Sequence, residues 1–302
     1  MAAHKPASVS QVLSLVLITA MPGYASAACE DCNATQEPLR IYGNTYYVGV
    51  HGLSSILITS PQGHVLIDGD LAESAPKIAA NIQALGFRLK DVKLILNSHV
   101  HFDHAGGIAE LHRLSGAQVA ASPATAHALE AGQSGPNDPQ YGILKPIGKV
   151  AHVRIIKDGE ILHVGPLALT AHFTPGHTPG GTSWTWRSCE QETCLNIAYV
   201  DSLSPISAPS FHFSKNTTYP NVRADFAKSI KTVSTLPCDI LLTPHPGVSD
   251  LWERVDKRKQ GDANALVDNT ACKRLADSAH TALDKRLAQE AEEKSSAGGT
   301  GQ

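Results

Sequence analysis

Apolar residues recur along the chain at two spacings, which predict a mixture of strands and helices. Short runs of alternating or continuous aliphatic and β-branched residues predict strands, and apolar residues three or four apart predict helices. Strands are expected over residues 39–50, 54–59, 64–68, 92–96, 118–121, 150–156, 167–173, 183–187, 196–200 and 239–243. Helices are expected over residues 72–85, 105–114, 123–131, 219–235 and from 272 onwards. Because the two types alternate, the pattern predicts an α/β protein.

The first residues of the chain follow a different pattern. Lys5 precedes an apolar stretch over residues 12–21, and small residues ending at Ala27 follow it. A stretch of roughly ten apolar residues is too short to cross a bilayer, which takes about 20. Residues 1–27 are therefore predicted to be a secretory signal peptide, cleaved after Ala27 or Ala28, so that the mature protein has no membrane attachment. An N-terminal anchor or an unprocessed tail is the alternative interpretation.

The composition suits a soluble globular protein with an aliphatic core, since 42% of the residues are hydrophobic, 18% are charged and only 5% are aromatic. The formal net charge of -3 provides no basic stripe of the kind that phosphate backbones require, so nucleic acid is not an expected partner. Residues 28–38 are expected to form a short N-terminal segment, 39–293 a single domain, and 294–302, rich in serine and glycine, a disordered tail.

All six cysteines follow the predicted cleavage site. Disulfides persist outside the reducing cytosol, so an even number of cysteines in an exported protein fits pairing. Short spacing suggests that Cys189 pairs with Cys194, and Cys238 then pairs with Cys272 across a longer loop. The Cys-x-x-Cys sequence over residues 29–32 either forms a third pair, stays reduced or binds a metal adventitiously. The connectivity is left open by the sequence.

One stretch, NSHVHFDHAGG over residues 97–107, places three histidines and an aspartate directly after a predicted strand. Neutral imidazole is the commonest protein ligand for zinc, and carboxylate is a compatible donor. Because side chains two apart point the same way on an extended backbone, His99 and His101 can bind one ion. Asp103 and His104 follow a turn of the chain and are expected to serve a second ion. Each of the two predicted sites still lacks a ligand.

Two histidines at the ends of later predicted strands complete these sites. His177, in PGHTPGG, would join the first pair, and His245, in TPHPG, would join Asp103 and His104. Three protein ligands with a position left for water are typical of a catalytic zinc, which lowers the pKa of that water to about 7. His172 is the main competitor for His177, but its position within a predicted strand makes it the weaker candidate.

The sequence HVHFDH over residues 99–104, with His177 and His245 downstream, resembles the motif of the metallo-β-lactamase superfamily. The resemblance extends over residues 39–287 and implies a four-layer αββα sandwich with a two-metal site between its sheets. It is greatest to the class B enzymes of subclass 3, which use three histidines at the first zinc and one aspartate with two histidines at the second. The other subclasses have a cysteine where this chain has Ser202.

This resemblance also implies an activity, a cofactor and roles for particular residues. The reaction is hydrolysis of the amide bond of a β-lactam, which confers antibiotic resistance, by a hydroxide held between two zinc ions, with Asp103 orienting it or relaying its proton. A Cys238–Cys272 disulfide and export also match the subclass, and we expect a periplasmic monomer. The implied metal ligands are His99, His101 and His177 for one ion and Asp103, His104 and His245 for the other. The residues implied to contact the substrate are Ser202, Ser204, Gln140 and Tyr141.

Other hydrolases share this metal-binding motif, so the motif alone does not name a substrate. Thioesterases of the glyoxalase II kind bridge their metals with an aspartate on the strand that carries Asp201. An Asp201 carboxylate that bridges the ions would favour a thioesterase, whereas one that points away would favour a lactamase. Lactonases and nucleases are further members, although a nuclease would be expected to show a more basic surface. A zinc-binding protein without catalysis is the alternative from another class, and it would not need open coordination positions.

Overall fold

The structure is a computed structural model that describes Met1 and residues 32–298. Apart from Met1, the predicted signal peptide over residues 1–27 lies outside the described residues. The same is true of Cys29, and therefore of its proposed pairing with Cys32.

Within the described residues the strands form two sheets, and neighbouring strands of each sheet are consecutive along the chain. The first sheet contains β1 (Leu39–Tyr42), β2 (Thr45–Tyr47), β3 (Ile56–Ile58), β4 (His64–Ile67), β5 (Val92–Leu96), β6 (Gln118–Ala121) and β7 (Arg154–Ile155). The second contains β8 (Ile161–Val164), β9 (Leu167–Phe173), β10 (Thr182–Glu190), β11 (Thr193–Tyr199) and β12 (Ile240–Leu242). Strands β1 to β4 pair antiparallel and β4 to β7 parallel, while the second sheet is antiparallel except for β11 with β12.

Helices cover the outer faces of both sheets. They are α1 (Ala75–Ala84), α2 (Phe102–Ala105), α3 (Ile108–Ser115), α4 (Pro123–Ala131), α5 (Val222–Ser234), α6 (Leu251–Lys259) and α7 (Ala271–Gly298), with 3-10 turns at Ala72–Ser74, Leu89–Asp91 and Pro246–Ser249. Apolar residues of α1, α3 and α4 pack with the first sheet, and those of α5 and α7 pack with the second.

Alternation along the strands divides the core into layers. In β3, Ile56 and Ile58 belong to the apolar cluster between the two sheets, whereas Leu57 belongs to the cluster under the helices of the first sheet. Strand β12 alternates in the same way, with Leu241 facing the helices of the second sheet. Period-two alternation is what a strand buried on both faces requires. The order helix, sheet, sheet, helix confirms the predicted four-layer αββα sandwich.

Two predicted strands are shorter than expected. The predicted strand over 39–50 is interrupted at Gly43, which has a φ of 52° and whose added Cβ would lie 2.6 Å from the carbonyl oxygen of Cys189. The backbone conformation and the close approach both require glycine, so the chain turns there and forms the β1–β2 hairpin. Of the predicted strand over 150–156, only Arg154–Ile155 pairs, at the edge of the first sheet.

Three elements are absent from the sequence prediction, and the last helix is longer than predicted. Strand β8 and helices α2 and α6 were not predicted; α2 has only four residues. In α6 only Leu251 and Val255 are buried, which leaves too thin an apolar stripe for recognition by spacing. Helix α7 continues to Gly298 and so enters the segment 294–302 that was expected to be disordered. The good helix formers alanine, glutamate and lysine that precede the serines favour this continuation.

Two disulfides lie in the described part of the chain and match the spacing argument. Cys189–Cys194 closes the β10–β11 hairpin, and Cys238–Cys272 ties the segment before β12 to α7. Such bonds indicate an oxidising compartment. Over residues 32–298, none of the helices has the length and apolar character that crossing a bilayer takes.

Four strands are followed at their carboxyl ends by the polar residues that the sequence singled out. The histidine motif follows β5, His177 follows β9, Asp201 follows β11 and His245 follows β12. A rigid strand directs the loop that comes after it, so these strand ends can hold side chains from distant parts of the chain in one place.

Candidate metal centre and active site

His99, His101 and His177 converge in a first group of donors, which we call the histidine trio. One possible ligand atom from each lies within 4.8 Å of the others, and the three side chains are buried. His99 and His101 lie on the extended segment after β5, two residues apart, as predicted. The structure therefore brings together the residues proposed for the first metal ion.

Each ring of the histidine trio has one nitrogen in contact with an oxygen outside the trio. These contacts are His99 Nδ1 to Asp201 Oδ1 (2.7 Å), His101 Nε2 to Asp138 Oδ2 (3.2 Å) and His177 Nδ1 to the carbonyl oxygen of Ser204 (2.9 Å). An oxygen acceptor on one nitrogen keeps the proton there and leaves the other nitrogen with a free lone pair. The trio thus presents three lone pairs, which is the donor set of a catalytic zinc site.

Asp103, His104 and His245 form a second group, which we call the acidic trio. Its members approach each other closely: Nε2 of His104 lies 3.2 Å from Nε2 of His245, and Oδ2 of Asp103 lies 3.4 Å and 3.5 Å from these two nitrogens. A tetrahedral ion with bonds of about 2.05 Å would separate its ligands by about 3.3 Å. The donor atoms therefore have the separations that one small tetrahedral cation requires.

The two trios are neighbours. The ring centroid of His99 lies 4.5 Å from that of His104, so ions bound by the two trios would be adjacent. Nε2 of His99 is buried and has no hydrogen-bond partner among the residues that the structure describes. A buried polar atom without a partner is costly unless an ion or water satisfies it, so this nitrogen fits a metal ligand.

The surroundings of His104, His177 and Asp103 shift the pKa values of these side chains. Burial lowers the pKa of His104 to about 3 and that of His177 to about 4, so both rings are neutral at pH 7. Burial acts to raise the pKa of Asp103, but the nearby imidazoles of His104 and His245 together outweigh it and hold that pKa below its usual value. Neutral imidazoles beside an ionised carboxylate are the protonation states in which these groups bind a cation.

Asp201 lies behind His99 rather than in either trio. Its Oδ1 contacts Nδ1 of His99, and its Oδ2 has no hydrogen-bond partner in the part of the chain that is described. Burial raises the pKa of Asp201 well above its usual value, which a cation on the other nitrogen of His99 would counteract. This position is that of a residue that orients a ligand, and it differs from that of a carboxylate bridging two ions.

A buried carboxylate beneath the motif fixes the start of the loop. Asp68 accepts hydrogen bonds from Nδ2 of Asn97, from the backbone nitrogen and hydroxyl of Ser98 and from the hydroxyl of Tyr199, at 2.6 to 2.8 Å. Burial raises the pKa of Asp68 to about 6, although these hydrogen bonds lower it. The segment that carries His99 is thereby tied to strands of both sheets.

The residues predicted to contact substrate lie around the trios at different distances. Ser204 is adjacent to the histidine trio, with its hydroxyl oxygen 3.2 Å from Nδ1 of His177. Nε2 of Gln140 lies 3.5 Å from Nδ1 of His101, at the edge of the same trio. Tyr141 is exposed, with 51% of its surface accessible, and Ser202 is partly buried directly after Asp201.

Sequence reasoning did not single out Asp68 or Asp138, and it ranked His177 correctly above His172. Asp138, only 1% exposed, contacts His101 and accepts a hydrogen bond from the backbone nitrogen of Gln140, yet in sequence it was one polar residue in a predicted loop. Nothing in the spacing from the motif indicated this contact. His172, the competitor for His177, lies apart from both trios and bonds to Oγ1 of Thr185 instead.

Comparison with known proteins agrees with this geometry. The model of the metallo-beta-lactamase superfamily matches residues 48–189. Among curated relatives, a hydroxyacylglutathione hydrolase of Bradyrhizobium sp. (strain ORS 278) is 32% identical over 130 residues, which is 43% of this chain and 42% of that protein. This chain thus spans less than half the length of that relative.

Solved structures match over much more of the chain. The Rm3 metallo-beta-lactamase is 56% identical, with a TM-score of 0.86 over 89% of this chain and 99% of that one. MEM-A1, a subclass B3 metallo-beta-lactamase from a soil metagenome library, is 53% identical, with a TM-score of 0.85 over 87% of this chain and 100% of that one. From its fold, its paired donor trios and these similarities, this chain belongs to the metallo-beta-lactamase superfamily and is similar to members of subclass B3.

Proposed function

We propose that this protein is a zinc-dependent β-lactamase that hydrolyses the amide bond of the four-membered lactam ring. The observation that carries the proposal is the pair of adjacent trios, with Asp201 held behind His99 instead of between the trios. Sequence identity above 50% to two metallo-beta-lactamases, over nearly the whole fold, supports the same substrate class.

The cofactor we propose is two zinc ions per chain, one in each trio. Imidazole and carboxylate donors at these separations suit zinc. When bound, such ions polarise the carbonyl group of the substrate and make water a nucleophile at neutral pH. The histidine trio would supply three nitrogen ligands, and the acidic trio would supply two nitrogens and the carboxylate oxygen of Asp103.

Asp103 is the residue we assign to proton transfer. Its pKa is held below the usual value, so the carboxylate is ionised at pH 7 and can accept a hydrogen bond from the attacking water. It can then pass the proton towards the amide nitrogen, which must be protonated once the C–N bond has broken. The rings of the histidine trio are held in place during the reaction by their contacts with Asp138, Asp201 and the Ser204 carbonyl oxygen.

Four residues would orient the substrate. Ser202 and Ser204 are suited to bind its carboxylate, directly or through water, since a hydroxyl donates a hydrogen bond and both follow Asp201 closely in the chain. Gln140, at the edge of the histidine trio, and exposed Tyr141 would line the opposite side of the cleft. In this proposal the substrate contacts lie on loops, and the metal ligands lie on the segments that follow β5, β9 and β12.

A thioesterase is the second candidate, since part of the chain is similar to a hydroxyacylglutathione hydrolase. The Asp201 carboxylate contacts Nδ1 of His99 and is not a member of either trio, and a carboxylate that does not bridge the ions favours the lactamase. We further propose that the mature protein is periplasmic, which the two disulfides and the predicted signal peptide support, and that it is a monomer.

Removing the metal or one ligand should abolish activity. We expect the purified protein to hydrolyse a chromogenic cephalosporin, and a chelator to stop it until zinc is restored. His99→Ala and His245→Ala should each lower kcat/KM by at least about 100-fold, because each variant removes one of the three protein ligands proposed for an ion. His172→Ala is the matched control and should retain activity. Turnover that survives chelation, or full activity in either ligand variant, would refute the assignment.

Asp138→Asn should weaken zinc binding by about tenfold or more, because it removes the charge that orients His101. Competition with a chromophoric chelator measures this affinity directly. Asp277→Asn, which breaks an exposed ion pair with Lys273, is the control and should leave the affinity unchanged. An Asp138 variant with wild-type zinc affinity would contradict the orienting role.

Protein freed of metal should lose stability through His177 as the pH falls from about 6.5 to about 4. Over this range the unfolded ring, with its ordinary pKa of 6.5, gains a proton, whereas the folded ring, with its pKa of about 4, does not. Proton binding therefore favours the unfolded chain at lower pH. Relative to His177→Gln, the wild-type free energy of unfolding in urea should fall by about 2 to 3 kcal/mol across this window. A difference that does not vary with pH would contradict the burial of a neutral ring.

A further inference from the structure

The segment that carries Ser202 and Ser204 has no regular secondary structure of its own. Between the end of β11 and the start of α5 the structure describes every residue, and none lies in a strand or α-helix. Such a segment keeps one conformation only if its backbone polar groups find partners outside it. Those partners therefore decide how firmly Ser202 and Ser204, the residues proposed to bind substrate, are held in place.

Glu290 of α7 provides one of these partners from inside the protein. Its side chain is 1% exposed, and its two carboxylate oxygens accept hydrogen bonds from the backbone nitrogens of Phe213 and Ser214, each at 2.8 Å. Nε of Arg286, one turn earlier on the same helix, donates to the same carboxylate at 2.9 Å. A buried carboxylate with three donors is a strong and directional anchor.

Arg286 extends the anchor towards the metal centre. Its Nη2 donates to the hydroxyl of Ser207 at 2.9 Å and to the carbonyl oxygen of Phe211 at 3.1 Å, and its guanidinium lies 5.7 Å from the ring centre of Phe213. The Arg286 side chain therefore links Glu290 to Ser207 and Phe211 of the segment. Lysine, with a single terminal nitrogen, does not reproduce this fork.

The other side of the same segment touches the candidate active site. The carbonyl oxygen of Ser204 accepts a hydrogen bond from His177, and the backbone nitrogen of Ala208 donates to the carbonyl oxygen of Pro139, next to Gln140. The segment thus connects α7 with His177 and with the loop that carries Gln140. Helix α7 is itself held by the Cys238–Cys272 disulfide and by packing on α5.

We propose that Arg286 and Glu290 are positioning residues for substrate binding. By anchoring residues 207–214 of the segment, they hold Ser202 and Ser204 in place. The inference rests on the proposed function for its substrate part. The pair contacts neither trio, and its link to a proposed ligand runs only through the Ser204 carbonyl oxygen, which accepts a hydrogen bond from His177. It should therefore act mainly on the binding of substrate and leave the six proposed metal ligands in place.

Glu290→Gln and Arg286→Lys test this proposal in the full mature protein loaded with zinc. Glu292→Gln, an exposed glutamate on the same helix, is the matched control. Three quantities are measured for each protein: the hydrogen exchange of backbone amides over residues 204–214, KM and kcat for a chromogenic cephalosporin, and the zinc content. Thermal unfolding checks that each variant is folded at the assay temperature.

We expect Glu290→Gln to speed exchange at Phe213 and Ser214 and to raise KM about five- to twentyfold, because an amide cannot accept all three hydrogen bonds that the carboxylate accepts. The kcat should stay within about twofold and the zinc content should be unchanged, because the trios keep their ligands. Arg286→Lys should show a smaller change in the same direction, and Glu292→Gln should match the wild type.

Unchanged exchange over residues 204–214 in both variants would overturn the anchor, whatever the substrate is. Faster exchange with a KM that stays within twofold would overturn the link to substrate binding, as would a fall in kcat that follows loss of zinc. Absence of cephalosporin turnover by the wild type would refute the proposed function and the substrate part of this inference, while the exchange measurement would still decide the anchor. If Glu290→Gln does not fold, the milder Arg286→Lys decides both parts.

Discussion

The structure depends on holding electron-rich side chains next to one another in a largely buried site. Five imidazoles and the carboxylate of Asp103 point their donor atoms into a small volume between two sheets. Burial of polar groups without partners is unfavourable, and neighbouring lone pairs repel each other. The proposed pair of cations would resolve both problems and would also offset the charge of nearby buried carboxylates such as Asp201 and Asp138.

The fold supplies the rigidity for this arrangement. Two sheets share an apolar layer, and β5 and β12, which lead to members of both trios, have apolar side chains buried on both faces, so their ends cannot move independently. Asp68 couples the beginning of the histidine motif to Tyr199 of the second sheet. The loops that would contact substrate are less constrained by the sheets and depend on individual hydrogen bonds, among them those that Arg286 donates and those that Glu290 accepts.

The sequence was most informative where chemistry is concentrated in a short stretch. Residues 99–104 identified four members of the two trios at once, and the flanking prolines and glycines of His177 and His245 marked two further strand ends. Helix α6 escaped prediction because its apolar stripe has only two buried positions. Asp138 and Glu290 escaped for another reason: their partners lie 37 and 77 residues away, and contacts over such distances are set by tertiary packing rather than by local pattern.

Anomalous X-ray diffraction at the zinc edge, on crystals of the zinc-loaded mature protein, tests the central claim most directly. The account predicts two peaks about 3.5 to 4 Å apart, one bonded to His99, His101 and His177 and the other to Asp103, His104 and His245. A single peak, or zinc bonded to Asp201 in place of one of these six residues, would contradict it.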